Sequence, residues 1–413
     1  MTRRTAVTGI GVIAPGGPTR EAFWQRVLAG RPAIRTITAF DPSRFRSRIA
    51  AECDDVPELH EDRYIALALA AADEAVADAA IELSGLDPFT IGVSMGTAVG
   101  ASLRLEEQYA LASGNGRTWT MNGSRVAGDL YPALVPSSLA AELAIRLHAC
   151  GPVMTVSTGC TSGIDSIGLA HELILDGEAD FVVAGASDAP ITPITAASFD
   201  AIRATSPLND DPARASRPFD ATREGFVLGE GAAVLVLEEL SAARRRGARI
   251  YCELAGYAGR ANSFHMTGLK PDGSEMAAAI RAALQLAGLR PEQIDYISAH
   301  GSGTRQNDRH ETAAFKLALG DHARRTPISS IKAVVGHSLG AIGALEMAAC
   351  GLAIRDSIVP PTANLRTPSP ECDLDYVPLV ARRHPVRHAL SVGSGFGGFQ
   401  AAMVLSELSG GDW

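Results

Sequence analysis

No apolar run in the 413-residue chain is long enough to cross a bilayer. The opening residues Met1 to Thr5 pass straight into a short strand-like stretch, without the long apolar region of a secretory leader. A cytoplasmic protein is the expectation. Positive charge is also short: 37 Lys and Arg against 46 Asp and Glu leave a formal net charge of −9. That balance argues against broad electrostatic binding to nucleic acid. The six cysteines (Cys53, Cys150, Cys160, Cys252, Cys350, Cys372) form no C-x-x-C pair, so zinc and redox motifs of that kind are missing. His300, Asp308 and His310 could in principle ligate a metal, but no H-E-x-x-H or comparable helical spacing accompanies them, and no metal is expected. Nor is there a Pro/Ser-rich or charged linker.

What is present is an ordinary globular composition, 46% apolar and 20% charged. At this length one hydrophobic core stops growing, so two core-forming units are expected. Short apolar strands alternate with small-residue helices: a strand over Arg4 to Ile10, helices over Arg20 to Ala29 and Arg63 to Ala80, and a strand over Thr90 to Ser94. This alternation predicts a layered α/β fold. A faint duplication runs through it. Leu86-Asp87-Pro88 and Leu289-Arg290-Pro291 each lead into a strand ending at a small-residue loop. Val153 to Ser157 and Ile328 to Val335 each lead through a turn into an apolar helix. A strand over Arg249 to Gly256, after the turn Arg244-Arg245-Arg246-Gly247, would open the second half. The expected division is 1–248 and 249–413.

Gly9-Ile10-Gly11-Val12-Ile13-Ala14 fits a loose dinucleotide fingerprint, but Pro15-Gly16-Gly17-Pro18 intervenes before any helix, so a structural turn is the better reading. Val156-Ser157-Thr158-Gly159-Cys160-Thr161-Ser162-Gly163 places Cys160 at a strand-to-helix corner. The free N–H groups of a helix starting near Ser162 should lower the thiol pKa and offer donors to an oxyanion. A lone cysteine is usually a buried apolar residue; the flanking glycine and hydroxyl residues argue for a nucleophile. Such a nucleophile needs partners. His300, before Gly301-Ser302-Gly303-Thr304, and His337, after Lys332-Ala333-Val334-Val335-Gly336, each end a predicted strand, where α/β sheets collect ligand-contacting groups. Gly336-His337-Ser338-Leu339-Gly340 also matches a G-x-S-x-G elbow. A Ser338 acyltransferase, with Asp373 or Asp375 and His384 or His388, is the competing reading.

The order Cys160, His300 in A-H-G-S-G-T, then Lys332 and His337 in S-I-K-x-x-x-G-H resembles the β-ketoacyl synthases of the thiolase fold. Ser216 to Asp220, Gly225 to Gly231 and Gly395-Phe396-Gly397-Gly398 resemble further stations of that family, so the likeness spans nearly the whole chain. Ala189 to Ile194, Phe199 to Thr205, His265 to Lys270 and Gly303 to Thr312 are most similar to ketosynthase alpha subunits of bacterial type II (aromatic) polyketide synthases. Fatty-acid 3-oxoacyl carrier-protein synthases are the alternative.

This resemblance implies a thiolase-like α/β fold, two similar βαβαβαββ halves forming a five-layered αβαβα core. It implies a decarboxylative Claisen condensation in which Cys160 takes an acyl chain from the phosphopantetheine of an acyl carrier protein. The N–H groups of Cys160 and Phe396 would hold the oxyanion. His300 and His337, each presenting an Nε2–H, would stabilise the enolate formed when malonyl carrier protein loses carbon dioxide. Lys332 would pair with Glu311 to orient the site, Phe396 would gate the malonyl pocket, and Ser302 and Thr304 would bond the pantetheine arm. No cofactor would be bound by the chain itself. The implied partners are the carrier protein and a chain-length factor paralogue in a heterodimer, or a second copy in a homodimer. An acidic carrier protein would need a local basic patch on this acidic chain, for which Arg203 and Arg63 are the candidates.

Overall fold

The computed structural model describes residues 3–408; the outer ends of the two expected halves, 1–2 and 409–413, lie outside them. Ten strands make one continuous sheet: β1 (Thr5–Ile13), β2 (Ile91–Gly96), β3 (Val153–Val156), β4 (Phe181–Asp188), β5 (Gly231–Glu239), β6 (Cys252–Ala261), β7 (Tyr296–Ser298), β8 (Ile328–Ser329), β9 (His388–Gly395) and β10 (Phe399–Ser406). Their order is β8-β7-β9-β10-β6-β1-β5-β4-β2-β3. Outward from the centre, one side runs β1, β5, β4, β2, β3 and the other runs β6, β10, β9, β7, β8. In both, the first two pairings are antiparallel and the last two parallel. The sides join where Thr5 to Val7 pairs with Cys252 to Leu254.

Helices cover both faces of these strands, so β4 and β5 are buried almost throughout and read as continuous apolar runs rather than alternating ones. The alanine-rich helix α1 (Arg63–Ala79) lies against β1 and β5. Its close seat depends on Gly9 and Gly11, where a Cβ would come within 2.1 Å of Ala75 O and 1.9 Å of Ala71 O. The glycines of the loose dinucleotide motif therefore serve strand-to-helix packing, inside a strand rather than at the expected turn. Helices α2 (Ser162–Asp176) and α4 (Ile342–Asp356) pack on each other; α2 lies against β2 and β4, and α4 against β5 and β9. On the far side Ser274–Leu286 packs on β6 and β10, with α3 (Arg305–Leu319) beside it. One hydrophobic cluster spans both sides of the molecule through α2 and α4, and two others are confined to one side each.

One expected strand is much shorter than the sequence suggests. Only Ile328 and Ser329 of the apolar stretch 328–335 form β8; Lys332–Val335 is a single helical turn. The turn lets Lys332, 1% exposed, point inward to polar partners that an extended chain would not reach.

Candidate active site

The chain enters α2 through a one-turn 3-10 segment, Gly159–Thr161. Gly159 takes φ +61°, and a side chain there would also press within 3.0 Å of Phe396 O. Two hydroxyls fix the turn: Thr158 and Thr161 both donate to Asp165 Oδ2, whose other oxygen accepts from Tyr257 at 2.8 Å. Cys160 is thus carried on a braced corner at the floor of a cavity of about 420 Å³. The expectation of a lowered thiol pKa does not hold. Burial pushes Cys160 up to about 12; the charge of Lys332 and a bond from the Phe396 N–H oppose that rise without overcoming it. The resting group is a neutral thiol.

His300 and His337 line the same cavity, their ring centroids 5.3 Å apart and the rings steeply inclined. Burial first, and the Lys332 charge second, hold both imidazoles well below their ordinary pKa, so both are neutral. Their tautomers follow from what the Nδ1 atoms meet. His337 Nδ1 accepts the Leu339 N–H at 3.2 Å, and His300 Nδ1 faces the Lys332 ammonium at 3.5 Å. Each facing group can only donate, so each ring carries its proton on Nε2.

Lys332 does not pair with Glu311. Its ammonium bonds Glu346 Oε1 at 2.5 Å and the His300 carbonyl. Glu311 instead accepts the backbone N–H groups of His300 at 2.5 Å and Gly301 at 2.8 Å. The reason is reach: Glu311 sits on α3 beneath the histidine loop, whereas Glu346 projects from α4 directly at the lysine. Burial raises the Glu311 carboxyl to about 8 and that of Glu346 to about 7.

Phe396 is 38% exposed at the cavity and lies 6.3 Å from the Phe199 ring. Its loop is tied by Gly397 N–H to Met266 O at 2.6 Å. Ser302 and Thr304 also line the cavity, their hydroxyls 3.0 Å apart, and Thr304 caps α3. Arg203 is exposed and lines the cavity too. Arg63 does not: it is half-buried, with its guanidinium on Glu230 at 2.6 and 2.8 Å and on Cys53 O at 2.8 Å. Those bonds hold the start of α1 to the chain before β5, so Arg63 is a packing residue and not a docking one.

The rival serine has no comparable setting. Ser338 is fully buried, and its hydroxyl has no hydrogen-bond partner among the described residues. Asp373 is engaged by Lys316 and Arg324, and Asp375 by Arg382. His300, Asp308 and His310 are likewise occupied separately: Asp308 pairs with Arg223 at 3.2 Å, and His310 Nδ1 meets Lys270 O at 2.6 Å.

Three acids, Asp165 half-buried and Glu346 and Asp188 fully buried, escaped the sequence reading. Asp165 braces the cysteine turn, Glu346 holds Lys332, and Asp188 accepts four donors at the end of β4. The signal for Glu346 was available, because it is the one acid inside an otherwise apolar run from Ile342 to Ile354.

Comparison with known proteins agrees with this geometry. Residues 2–243 match the model of the β-ketoacyl synthase N-terminal domain, and residues 251–366 that of the C-terminal domain. A putative polyketide β-ketoacyl synthase 1 of Streptomyces cyaneus is 59% identical over 99% of both chains. The tetracenomycin polyketide synthase ketoacyl synthase alpha subunit of Streptomyces glaucescens is 57% identical, covering 98% of this chain and 97% of its own. A 3-oxoacyl-[acyl-carrier-protein] synthase 2 of Synechocystis is 40% identical over 98% of both. Among solved structures, a ketosynthase bound to a hexaketide, in complex with its type II acyl-carrier protein, superposes with a TM-score of 0.95 at 38% identity, covering 99% of this chain and 100% of its own. The ishigamide ketosynthase/chain length factor gives 0.91 at 34%, covering 99% and 100%. The chain belongs to the β-ketoacyl synthase family.

Proposed function

We propose that the chain carries out decarboxylative condensation of malonyl carrier protein onto an acyl or polyketide chain held on Cys160, as the ketosynthase alpha subunit of a type II polyketide system. One observation carries this reading: two neutral imidazoles with Nε2–H donors share a cavity with a thiol whose neighbouring amides include that of Phe396. The Cys160 sulfur adds to the acyl thioester, its proton leaves with the pantetheine thiol, and the N–H groups of Cys160 and Phe396 hold the oxyanion. Malonyl thioester then loses carbon dioxide. The electron pair of the broken C–C bond moves to the enolate oxygen, which the Nε2–H groups of His300 and His337 meet. The enolate carbon attacks the Cys160 acyl carbon, and the thiolate leaves and takes up a proton from solvent. Lys332 and Glu311 hold the histidines from behind, Phe396 gates the malonyl side, and Ser302 and Thr304 bond the pantetheine arm. The substrates arrive on phosphopantetheine, and no cofactor of the chain's own enters the scheme.

The finer architecture we assign is thiolase-like: halves 1–248 and 249–413, each βαβαβαββ, stacked as a five-layered αβαβα core. The recurring strand order on the two sides of the sheet supports it. The partners we assign are an acyl carrier protein at the cavity mouth, near Arg203, and a chain-length factor paralogue in a heterodimer. Supporting the second, β3 is one of the two edge strands of the sheet, with Val153 41% exposed. The paired ketosynthase/chain length factor among the structural relatives points the same way.

The test is intact-mass detection of acyl transfer from acyl carrier protein. Cys160→Ala should show no adduct, and Ser338→Ala should retain one. An adduct on the Cys160→Ala chain would overturn the assignment, and an adduct lost only in Ser338→Ala would establish the rival nucleophile.

A further inference from the structure

Helices α2 and α4 are copies in more than length. Each has fifteen residues and follows a three-residue 3-10 turn, Gly159–Thr161 and Leu339–Ala341. Each turn opens on a left-handed residue, Gly159 at φ +61° and Leu339 at φ +49°. Each helix closes on another, Gly177 at φ +79° and Ser357 at φ +51°. The two helices meet where Gly163 faces Gly340 to Ala344 and Gly343 faces Gly163 and Ile164. These pairs keep a constant offset of 180 positions (159 to 339, 163 to 343, 177 to 357). By the same offset Cys160 corresponds to Gly340.

The two equivalent turns are used differently. At the first, the sulfur of Cys160 faces an open cavity. At the second, the Gly340 N–H donates to Asp188 Oδ2 at 2.7 Å. That oxygen also accepts Ala98 N–H at 2.9 Å, and Oδ1 accepts Thr97 Oγ1 at 2.7 Å and Val99 N–H at 3.1 Å. Asp188 is fully buried, and a Cβ on Gly340 would lie 2.5 Å from its Oδ2. A carboxylate thus fills the place above the second turn. The residue that shares a peptide bond with Gly340 is Leu339, and its N–H is the donor to His337 Nδ1.

We propose that Asp188 is a positioning residue for the decarboxylation step. Through Gly340 it fixes the duplicate turn, so that Leu339 N–H meets His337 Nδ1 and the ring's own proton stays on Nε2, toward the enolate. This rests on the condensation reading above and adds a residue to it. Neither oxygen of Asp188 is spare, since each accepts two donors, so an isosteric amide must turn an NH2 group toward two of them. Thr97 can accept from that NH2 through its hydroxyl, so an amide can keep the Gly340 tie, whereas removing the side chain breaks both ties.

The test uses the full chain with 15N-labelled histidine rings, alongside Cys160 acylation by intact mass and carbon dioxide release from malonyl carrier protein. In the wild type the His337 ring, assigned by its loss in His337→Gln, should show one protonated and one unprotonated nitrogen, with the proton on Nε2. In Asp188→Ala that pattern should become mixed, and carbon dioxide release should fall about tenfold or more. Acylation should not slow, because the Asp188 charge disfavours the Cys160 thiolate. If Asp188→Ala does not fold, Gly340→Ala keeps the carboxylate but forces the turn off it, and the same changes are expected. A folded variant with the wild-type His337 pattern and wild-type carbon dioxide release would overturn the proposal. A wild-type chain showing neither adduct nor carbon dioxide release would instead sink the condensation reading, and the ring pattern would still decide on Asp188.

Discussion

Among single residues, the buried acids govern how the site holds its shape. Glu311 and Glu346 have carboxyls raised to about 8 and about 7 by burial, above the value of about 4.3 for an unfolded glutamate. The folded chain therefore binds protons that the unfolded chain has released. The resulting stability is full below about pH 4 and is lost as pH climbs through about 7 to 8. Glu311→Gln removes one such proton while turning an amide against the His300 and Gly301 donors, at a cost of about 1–3 kcal/mol. In urea unfolding at several pH values, the variant should start lower and lose less as pH rises, so that the two curves converge. Curves that diverge toward high pH would mean that Glu311 is ionised in the fold. The sequence exposed the cysteine and both histidines because each stands among glycines and hydroxyls that an ordinary core would not collect. It hid the lysine's partner because pairing depends on which helix passes overhead. Glu311 lies 21 positions before Lys332 and Glu346 lies 14 after it, and nothing in either spacing favours one.

At the scale of elements, several were legible from pattern alone: α1 begins at Arg63 and α2 at Ser162, as expected, whereas β4, β5, β9 and β10 went unread. At 328–335 the pattern misled, because an apolar run cannot distinguish a strand from a buried helical turn. The duplication was visible only as recurring strand-and-turn fragments. Its clearest sign, the matched left-handed residues at 159 and 339, is conformational and is spelled glycine in one copy and leucine in the other. The contact between α2 and α4 should tolerate almost no added volume. A Cβ on Gly343 would sit 2.9 Å from both the backbone N and the Cγ1 of Ile164, and one on Gly163 would sit 2.5 Å from Ala344 N. Gly343→Ala should cost about 1–3 kcal/mol and lower condensation as well, since it separates the turns bearing Cys160 and Leu339. Equilibrium denaturation and turnover measured on the same preparation check both effects; a variant as stable as the wild type would mean that the helices can part freely.

For the molecule as a whole, charge and surface set the terms of association. A net charge of −9 repels an acidic carrier protein at long range. Attraction must then be local, and Arg203 is exposed at the cavity mouth whereas Arg63 is spent on Glu230. Arg203→Glu should slow acyl transfer from carrier protein while sparing transfer from a small pantetheine thioester, and should weaken the salt dependence of the former. Equal slowing with both donors would place Arg203 in the site rather than at its door.

Strand β3 pairs with β2 along one side only, and four residues after its last, Val156, comes Cys160. Among the described residues no strand pairs with the outer backbone groups of β3. A strand paired on one side only breathes more readily than an interior one, so the nucleophile hangs from an edge thread of the sheet. A partner laid along that edge would do more than enlarge the assembly: it would steady the tether of the reacting sulfur. The working lifetime of the chain in isolation should accordingly follow the rate at which the β3 amides exchange with solvent, not the stability of the core.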